Sequence, residues 1–163
     1  MRDEPSPPKA TDKSTAAGIS SEYTQIPGSG CKRIAYTEEG ASSVFQCVGY
    51  AGIPLFIKDG DARTDLDAGA QSEFRSRGEF NSPGATVEWR IAPDGKPFAI
   101  IYRLVTDMDD QPRQTWLVAE TIGTAGKPGC RIAEIAGSTP DANAAARAAA
   151  DRFFAAKQPC PKV

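Results

Sequence analysis

The chain contains no histidine among its 163 residues, and this absence excludes two broad classes of function. Catalysis by a Ser/His/Asp or Cys/His group needs an imidazole base, and a His-ligated metal centre needs an imidazole ligand. A cysteine-based zinc site is also disfavoured, because the four cysteines include no C-x-x-C pair. The remaining catalytic options are paired carboxylates, a lysine-based dyad or an oxygen-ligated metal.

Long apolar runs and an excess of one charge are missing as well. No stretch approaches the roughly 18 consecutive apolar residues of a membrane-spanning helix, so we predict no transmembrane span. The 19 basic and 21 acidic residues give a net charge of -2, which creates no field for nucleic acid or an anionic membrane surface. A chain of this length with 40% hydrophobic residues is sufficient for one domain with a hydrophobic core.

Secondary structure is clearest in residues 85–137, where Gly, Pro and Asp-rich turns separate four apolar segments: 86–92, 98–106, 115–122 and 130–136. This arrangement predicts a four-strand antiparallel meander. An alanine-rich segment at 142–156 then predicts a C-terminal helix. Further strands are predicted earlier in the chain, at 21–26, 31–37, 43–50 and 53–59. We therefore predict an α+β fold, an antiparallel sheet of about six or seven strands with the helix packed on one face.

Two segments lack a clear pattern. Residues 1–20 combine prolines, charges and small residues, which predicts a disordered leader or linker before a single domain at 21–163. No apolar signal-peptide core follows Met1, so an exported protein is expected to be a mature form with an added initiator Met. Residues 60–84 are expected to form an irregular loop with a turn or two of helix.

The four cysteines predict two disulfide bonds. Cys31 and Cys47 flank a predicted hairpin turn and lie nearly opposite one another, while Cys130 opens the last strand and Cys160 follows the helix. Of the three possible connectivities we predict 31–47 and 130–160, because each closes a local unit; four buried thiols are the alternative. The pairing implies an oxidising compartment, and hence a periplasmic or secreted protein.

The densest group of acidic side chains is Asp59, Asp61, Asp65 and Asp67. A calcium loop beginning at Asp59 would need Gly and Glu at positions where this chain has Thr64 and Ala70. We therefore predict no metal, no cofactor and no catalytic residue, but a solvated loop with a contact between Asp61 and Arg63. A hydrolase that uses carboxylates of this loop as acid and base is the alternative.

Five side chains are candidate binding residues: Tyr50, Asp61, Arg63, Arg90 and Trp116. Aromatic residues are enriched at contact surfaces, although core packing is the competing interpretation for both tryptophans of the meander. Arg90 follows Trp89 in an alternating strand, so a buried Trp89 would place Arg90 on a polar, ligand-facing surface of the sheet.

The run CVGYAGIPLFIKDGDAR at 47–63, followed by VEWR at 87–90 and by Cys130, resembles a family of small exported bacterial proteins of uncharacterised function. The resemblance spans residues 23–160 and implies an envelope location, with no activity or cofactor attached. The architecture is also loosely similar to that of periplasmic lysozyme inhibitors, which are small disulfide-containing β-rich proteins.

These observations favour a binding or inhibitory module without catalytic activity. Its expected partner is an envelope protein or a small ligand, and nucleic acid is not expected. The alternatives are the carboxylate-dependent hydrolase and a structural envelope protein that acts by assembly.

Overall fold

The computed structural model describes residues 18–26, 30–39 and 41–161, in which nine strands and one helix form two antiparallel sheets and a helical layer. The five-stranded sheet contains, in spatial order, β1 (Ser20–Gln25), β6 (Asn81–Ile91), β7 (Pro97–Thr106), β8 (Gln114–Thr121) and β9 (Arg131–Ala136). The four-stranded sheet contains β2 (Lys32–Tyr36), β3 (Ser42–Tyr50), β4 (Ile53–Gly60) and β5 (Arg63–Ala68). The helix α1 spans Ala142–Ala155.

The meander predicted from residues 85–137 is present as β6 to β9, each strand pairing with the next in antiparallel register. β7 is the central strand, and its neighbouring residues Ile100 and Ile101 are buried on opposite faces of the sheet. A strand covered on both sides has an apolar sequence on both faces, which explains the nearly continuous apolar run FAIIY.

Two hydrophobic cores hold the three layers together. The first lies between the two sheets and includes Trp89, which is completely buried, together with Leu66 of the other sheet. The second lies between the five-stranded sheet and α1, where Ala142 and Ala146 pack against Ile101 and Leu117. The small alanine side chains let the helix lie close to the sheet, as the alanine-rich sequence indicates.

The α+β fold class with its C-terminal helix is confirmed, and both disulfide bonds, Cys31–Cys47 and Cys130–Cys160, are formed. The strands are divided between two packed sheets, whereas the sequence predicted a single sheet of six or seven strands. Residues 60–84 were expected to form an irregular loop with a turn or two of helix. They contain instead the strand β5 and the beginning of β6, with no helix between them.

The predicted leader lies mostly outside the described residues. Its last positions belong to the folded unit, because Ile19 is buried and Ser20 begins β1. No helix in the described ranges is long and apolar enough to cross a membrane.

Candidate functional site

A buried ion-pair cluster begins on strands β4 and β5. Lys58 is paired with Asp65 in the antiparallel register, and Asp67 lies two residues further along the same face of β5. The Lys58 Nζ atom is 2.8 Å from Asp67 Oδ2 and 3.3 Å from Asp65 Oδ2. Both aspartates are buried. The prediction of a solvated loop is therefore wrong for these two residues, because a buried cation neutralises them within a strand pair.

A third acid, Glu120, reaches the cluster from β8 of the other sheet. Its Oε2 atom accepts hydrogen bonds from the Tyr102 hydroxyl at 3.0 Å and from Arg131 Nη2 at 2.8 Å. The same Nη2 atom lies 3.6 Å from Asp65 Oδ1, an oxygen without a hydrogen-bond partner among the described residues. Arg131 therefore connects the acids of the two sheets.

Burial changes the protonation chemistry of this cluster. Desolvation is the largest influence on Glu120 and raises its pKa to about 7, against the opposing effect of Arg131. Burial also raises the pKa of Asp65 and that of the Tyr102 hydroxyl. Perturbed groups of this kind are typical of functional sites, but they also occur in structural ion-pair networks.

The three acids lie close enough together to be compared with a metal site. Asp65, Asp67 and Glu120 can each bring one carboxylate oxygen within 4.8 Å of the others. Lys58 and Arg131 already supply cations at ion-pair distance from all three carboxylates. A divalent ion would have to displace these buried cations, so the residues do not fit a metal centre.

Residues 69–80, here called the strap, close the cluster from solvent. The Ser72 amide donates to Asp67 at 2.7 Å, and the Arg75 amide donates to Asp65 at 2.8 Å. Further along the strap, the Arg77 guanidinium lies 3.7 Å from the centre of the Trp116 ring. The carboxylates of Asp65 and Asp67 are thus fixed by the strap and by cations, and the cluster links the two sheets.

A second buried network lies between the five-stranded sheet and α1. Arg90 donates to both carboxylate oxygens of Asp151 on α1, at 3.1 and 2.7 Å. Beside it, Arg147 of α1 donates to Glu88 at 2.6 Å. The prediction that Arg90 faces a ligand is wrong, because α1 covers this face and Arg90 is fully buried.

The other candidate binding residues lie in separate surroundings. Tyr50 is partly buried against Trp89, with ring centroids 6.0 Å apart. Asp61 and Arg63 are joined at 2.8 Å, which confirms the predicted contact between them. Trp116 is partly buried beneath the strap. The structure therefore brings Asp61 and Arg63 together but does not assemble the five residues into one site.

The most exposed strand is β2, at the edge of the four-stranded sheet. All five of its residues, Lys32–Tyr36, are exposed. Ile34 and Tyr36 have exposed fractions of 42% and 62%, and Val48 on the neighbouring β3 reaches 73%. No backbone hydrogen bond reaches the outer side of β2 from the described residues. We call this strand and its free side the β2 edge.

The β2 edge is held in place by its neighbour and by a covalent bond. β2 pairs with β3, and the disulfide between Cys31 and Cys47 links the start of β2 to the core. An open groove of about 390 Å³ lies beside it and is lined in part by Lys32, Val48 and Pro54. A strand that buries neither face is thereby fixed next to a concave surface.

Sequence reasoning placed a strand at the β2 edge but did not single it out for binding. The available signal is the segment KRIAY, in which the apolar residues do not alternate with the polar ones. A strand without this alternation has no face assigned to a core.

Family models, curated proteins and solved structures were all compared with this chain, and none of them matches it. The geometry of the described residues is therefore the basis for assigning the site.

Proposed function

We propose that this protein is a non-catalytic binding or inhibitory module that takes up an extended segment of a partner polypeptide at the β2 edge. The observation that supports this most strongly is the disulfide bond from Cys31 to Cys47, which fixes a strand that is exposed along its whole length. In strand addition, main-chain hydrogen bonds provide affinity, and side chains on the exposed strand provide specificity.

The exposure of β2 has no explanation in the stability of the fold. Burial of apolar surface contributes roughly 25 cal/mol per Å², and Ile34 and Tyr36 forgo much of this contribution. Edge strands in soluble proteins are usually protected by covering elements, bulges or charges. Here Lys32, Arg33 and a bulge between Arg33 and Ala35 give partial protection, while Ile34 and Tyr36 remain exposed and available for contact.

The side chains of the β2 edge define the partner segment. It is extended, it presents apolar side chains to Ile34 and Tyr36, and it carries acidic residues that face Lys32 and Arg33. We also propose that the protein acts in an oxidising location outside the cytoplasm, which the two disulfide bonds support.

The hydrolase alternative has less support. Asp61 is exposed at the β4–β5 turn, whereas Asp65 and Asp67 are buried and paired with Lys58. A glycosidase needs two carboxyl groups that flank an accessible substrate bond. The buried pair faces the strap, so binding agrees better than hydrolysis with the positions of these residues.

Selection of short peptides from a random display library tests the proposal. We expect selected peptides to be acidic and apolar, and to lose at least about tenfold in affinity when Ile34→Asp and Tyr36→Asp are combined, because apolar contact is lost and the added carboxylates repel the acidic peptide. Phe74→Asp is the control for an added carboxylate, because Phe74 is similarly exposed (45%) but lies in the strap. Failure to obtain any binder, or equal loss of affinity in both variants, would overturn the proposal.

A further inference from the structure

We infer that the β2 edge also pairs with the β2 edge of a second copy of this chain, in antiparallel orientation. The two four-stranded sheets then join into one continuous sheet across a twofold axis. This inference rests on the proposed function, because both require that the β2 edge accepts an additional strand.

The charge pattern along this segment is self-complementary. Lys32 and Arg33 lie at its beginning, Ile34, Ala35 and Tyr36 form its apolar centre, and Glu38 and Glu39 follow in the turn. An antiparallel copy reverses this order, so each basic end meets an acidic end. A parallel copy would place like charges opposite one another, which is unfavourable.

The complementarity also restricts the register. Counted by sequence position, a twofold axis between Ala35 and Tyr36 brings Lys32 near Glu39 of the second copy and Arg33 near Glu38; β2 has a bulge between Arg33 and Ala35, and both glutamates lie in the turn that follows it. When the axis passes through Ala35 instead, each residue faces the residue one position earlier in the second copy. Lys32 then faces Glu38, which is also an acid. Moving the axis to Ile34 pairs Lys32 with Tyr36 and loses the charge match. The charges therefore favour a centre at Ala35 or immediately after it.

The four charged side chains are available for this contact. None of them has an ion-pair partner within the described part of the chain. Arg33 lies 4.3 Å from the centre of the Tyr36 ring, a cation–π contact that holds its guanidinium over the strand. A contact between exposed charges is weakened by salt, so the association is expected to weaken as ionic strength increases.

Charge reversal with complementation tests this pairing. One variant combines Lys32→Glu with Arg33→Glu, and the other combines Glu38→Lys with Glu39→Lys. Sedimentation velocity from about 10 µM to about 1 mM should show the wild type approaching the dimer. Each variant alone should associate at least about tenfold more weakly, because the pairs between basic and acidic residues become pairs of like charge. An equimolar mixture should regain the dimer as a heterodimer.

Control variants reverse exposed charges elsewhere. Lys96→Glu with Lys127→Glu matches the first variant in charge, and Asp109→Lys with Asp110→Lys matches the second. Both should retain wild-type association. A dimer that is equally weakened in the controls, or a mixture that does not regain it, would overturn the inference.

The outcomes separate this inference from the proposed function. A wild type that stays monomeric while selected peptides still bind at the β2 edge overturns self-pairing alone. A dimer that persists in the variant combining Ile34→Asp with Tyr36→Asp uses another surface and also overturns it. Absence of both self-association and peptide binding overturns both proposals.

Discussion

Cys31 and Cys47 face each other across β2 and β3 with their Cα atoms 3.9 Å apart, and the two residues differ in their surroundings. Cys47 is buried in the core between the sheets, whereas Cys31 precedes a strand that is exposed at every position. β2 pairs with a neighbour on one side only and buries neither of its faces, so it gains little stability from packing. The disulfide bond therefore supplies a constraint that packing does not provide.

Removing this bond should affect binding more than removing the other one. Cys31→Ser with Cys47→Ser should lower the affinity for selected peptides at least about tenfold, because a mobile β2 must be ordered when it binds. The unfolding free energy should fall by roughly 2–4 kcal/mol. Cys130→Ser with Cys160→Ser is the control, with a similar stability loss and retained binding. Equal losses of affinity would contradict the role assigned to the first bond.

The ion pair between Arg90 and Asp151 should be essential to stability. Asp151→Ala leaves a fully buried guanidinium without its bidentate partner, so we expect a loss of roughly 3–5 kcal/mol in urea denaturation. The matched control is Asp107→Ala, which removes an exposed partner of Arg113 and should cost less than about 1 kcal/mol. Similar losses in the two variants would show that α1 is held mainly by its alanine contacts.

Stability should decrease as the pH rises from about 5 to about 8. Burial raises the pKa of Glu120 from 4.5 to about 7, so the folded state binds more protons than the unfolded state in this interval. The contribution of Glu120 is complete below its unfolded pKa and is lost as the pH rises through the folded value. The raised pKa of Asp65 acts in the same direction.

Glu120→Gln isolates this effect. We expect the variant to show a flatter dependence of unfolding free energy on pH, with a difference from wild type of up to roughly 3 kcal/mol across the interval. Glu73→Gln changes an exposed carboxylate and serves as the control. An unchanged slope in Glu120→Gln would show that its carboxylate is charged throughout.

Gly69 should tolerate substitution less well than Gly52, although both have positive φ angles, +86° and +79°. A Cβ atom at Gly69 would lie 2.0 Å from the Gly123 carbonyl oxygen, whereas one at Gly52 meets nothing within 4 Å. Gly69→Ala should therefore cost roughly 2–3 kcal/mol more than Gly52→Ala in thermal or urea unfolding. Equal costs would indicate that the strap moves away easily from the loop that follows β8.

The parts of the fold that were predictable from sequence depend on local patterns. The meander follows from apolar segments separated by turns, and the pairing of Cys31 with Cys47 follows from their positions around a hairpin. The division into two sheets depends on which strands pack face to face, as Trp89 and Leu66 do, and no local pattern encodes this.

The candidate site was less predictable for a related reason. Asp65 and Asp67 are typical of a solvated segment until Lys58, Arg131 and the strap are placed around them. Asp65 and Asp67 alternate with Leu66, a pattern typical of a strand, but the alternating segment is short. Arg90 was assigned to the correct face of its strand, yet the sequence did not show that Asp151 on α1 covers this face.

Amide hydrogen exchange in β2 tests the central proposal most directly. In the free protein, at a concentration low enough for the chain to be monomeric, the amides of Lys32–Tyr36 that point away from β3 should exchange rapidly, whereas those bonded to β3 should be protected. Addition of a selected acidic peptide should protect the outward amides while exchange in β6 to β9 remains unchanged. Binding of that peptide without new protection in β2 would contradict strand addition at the β2 edge.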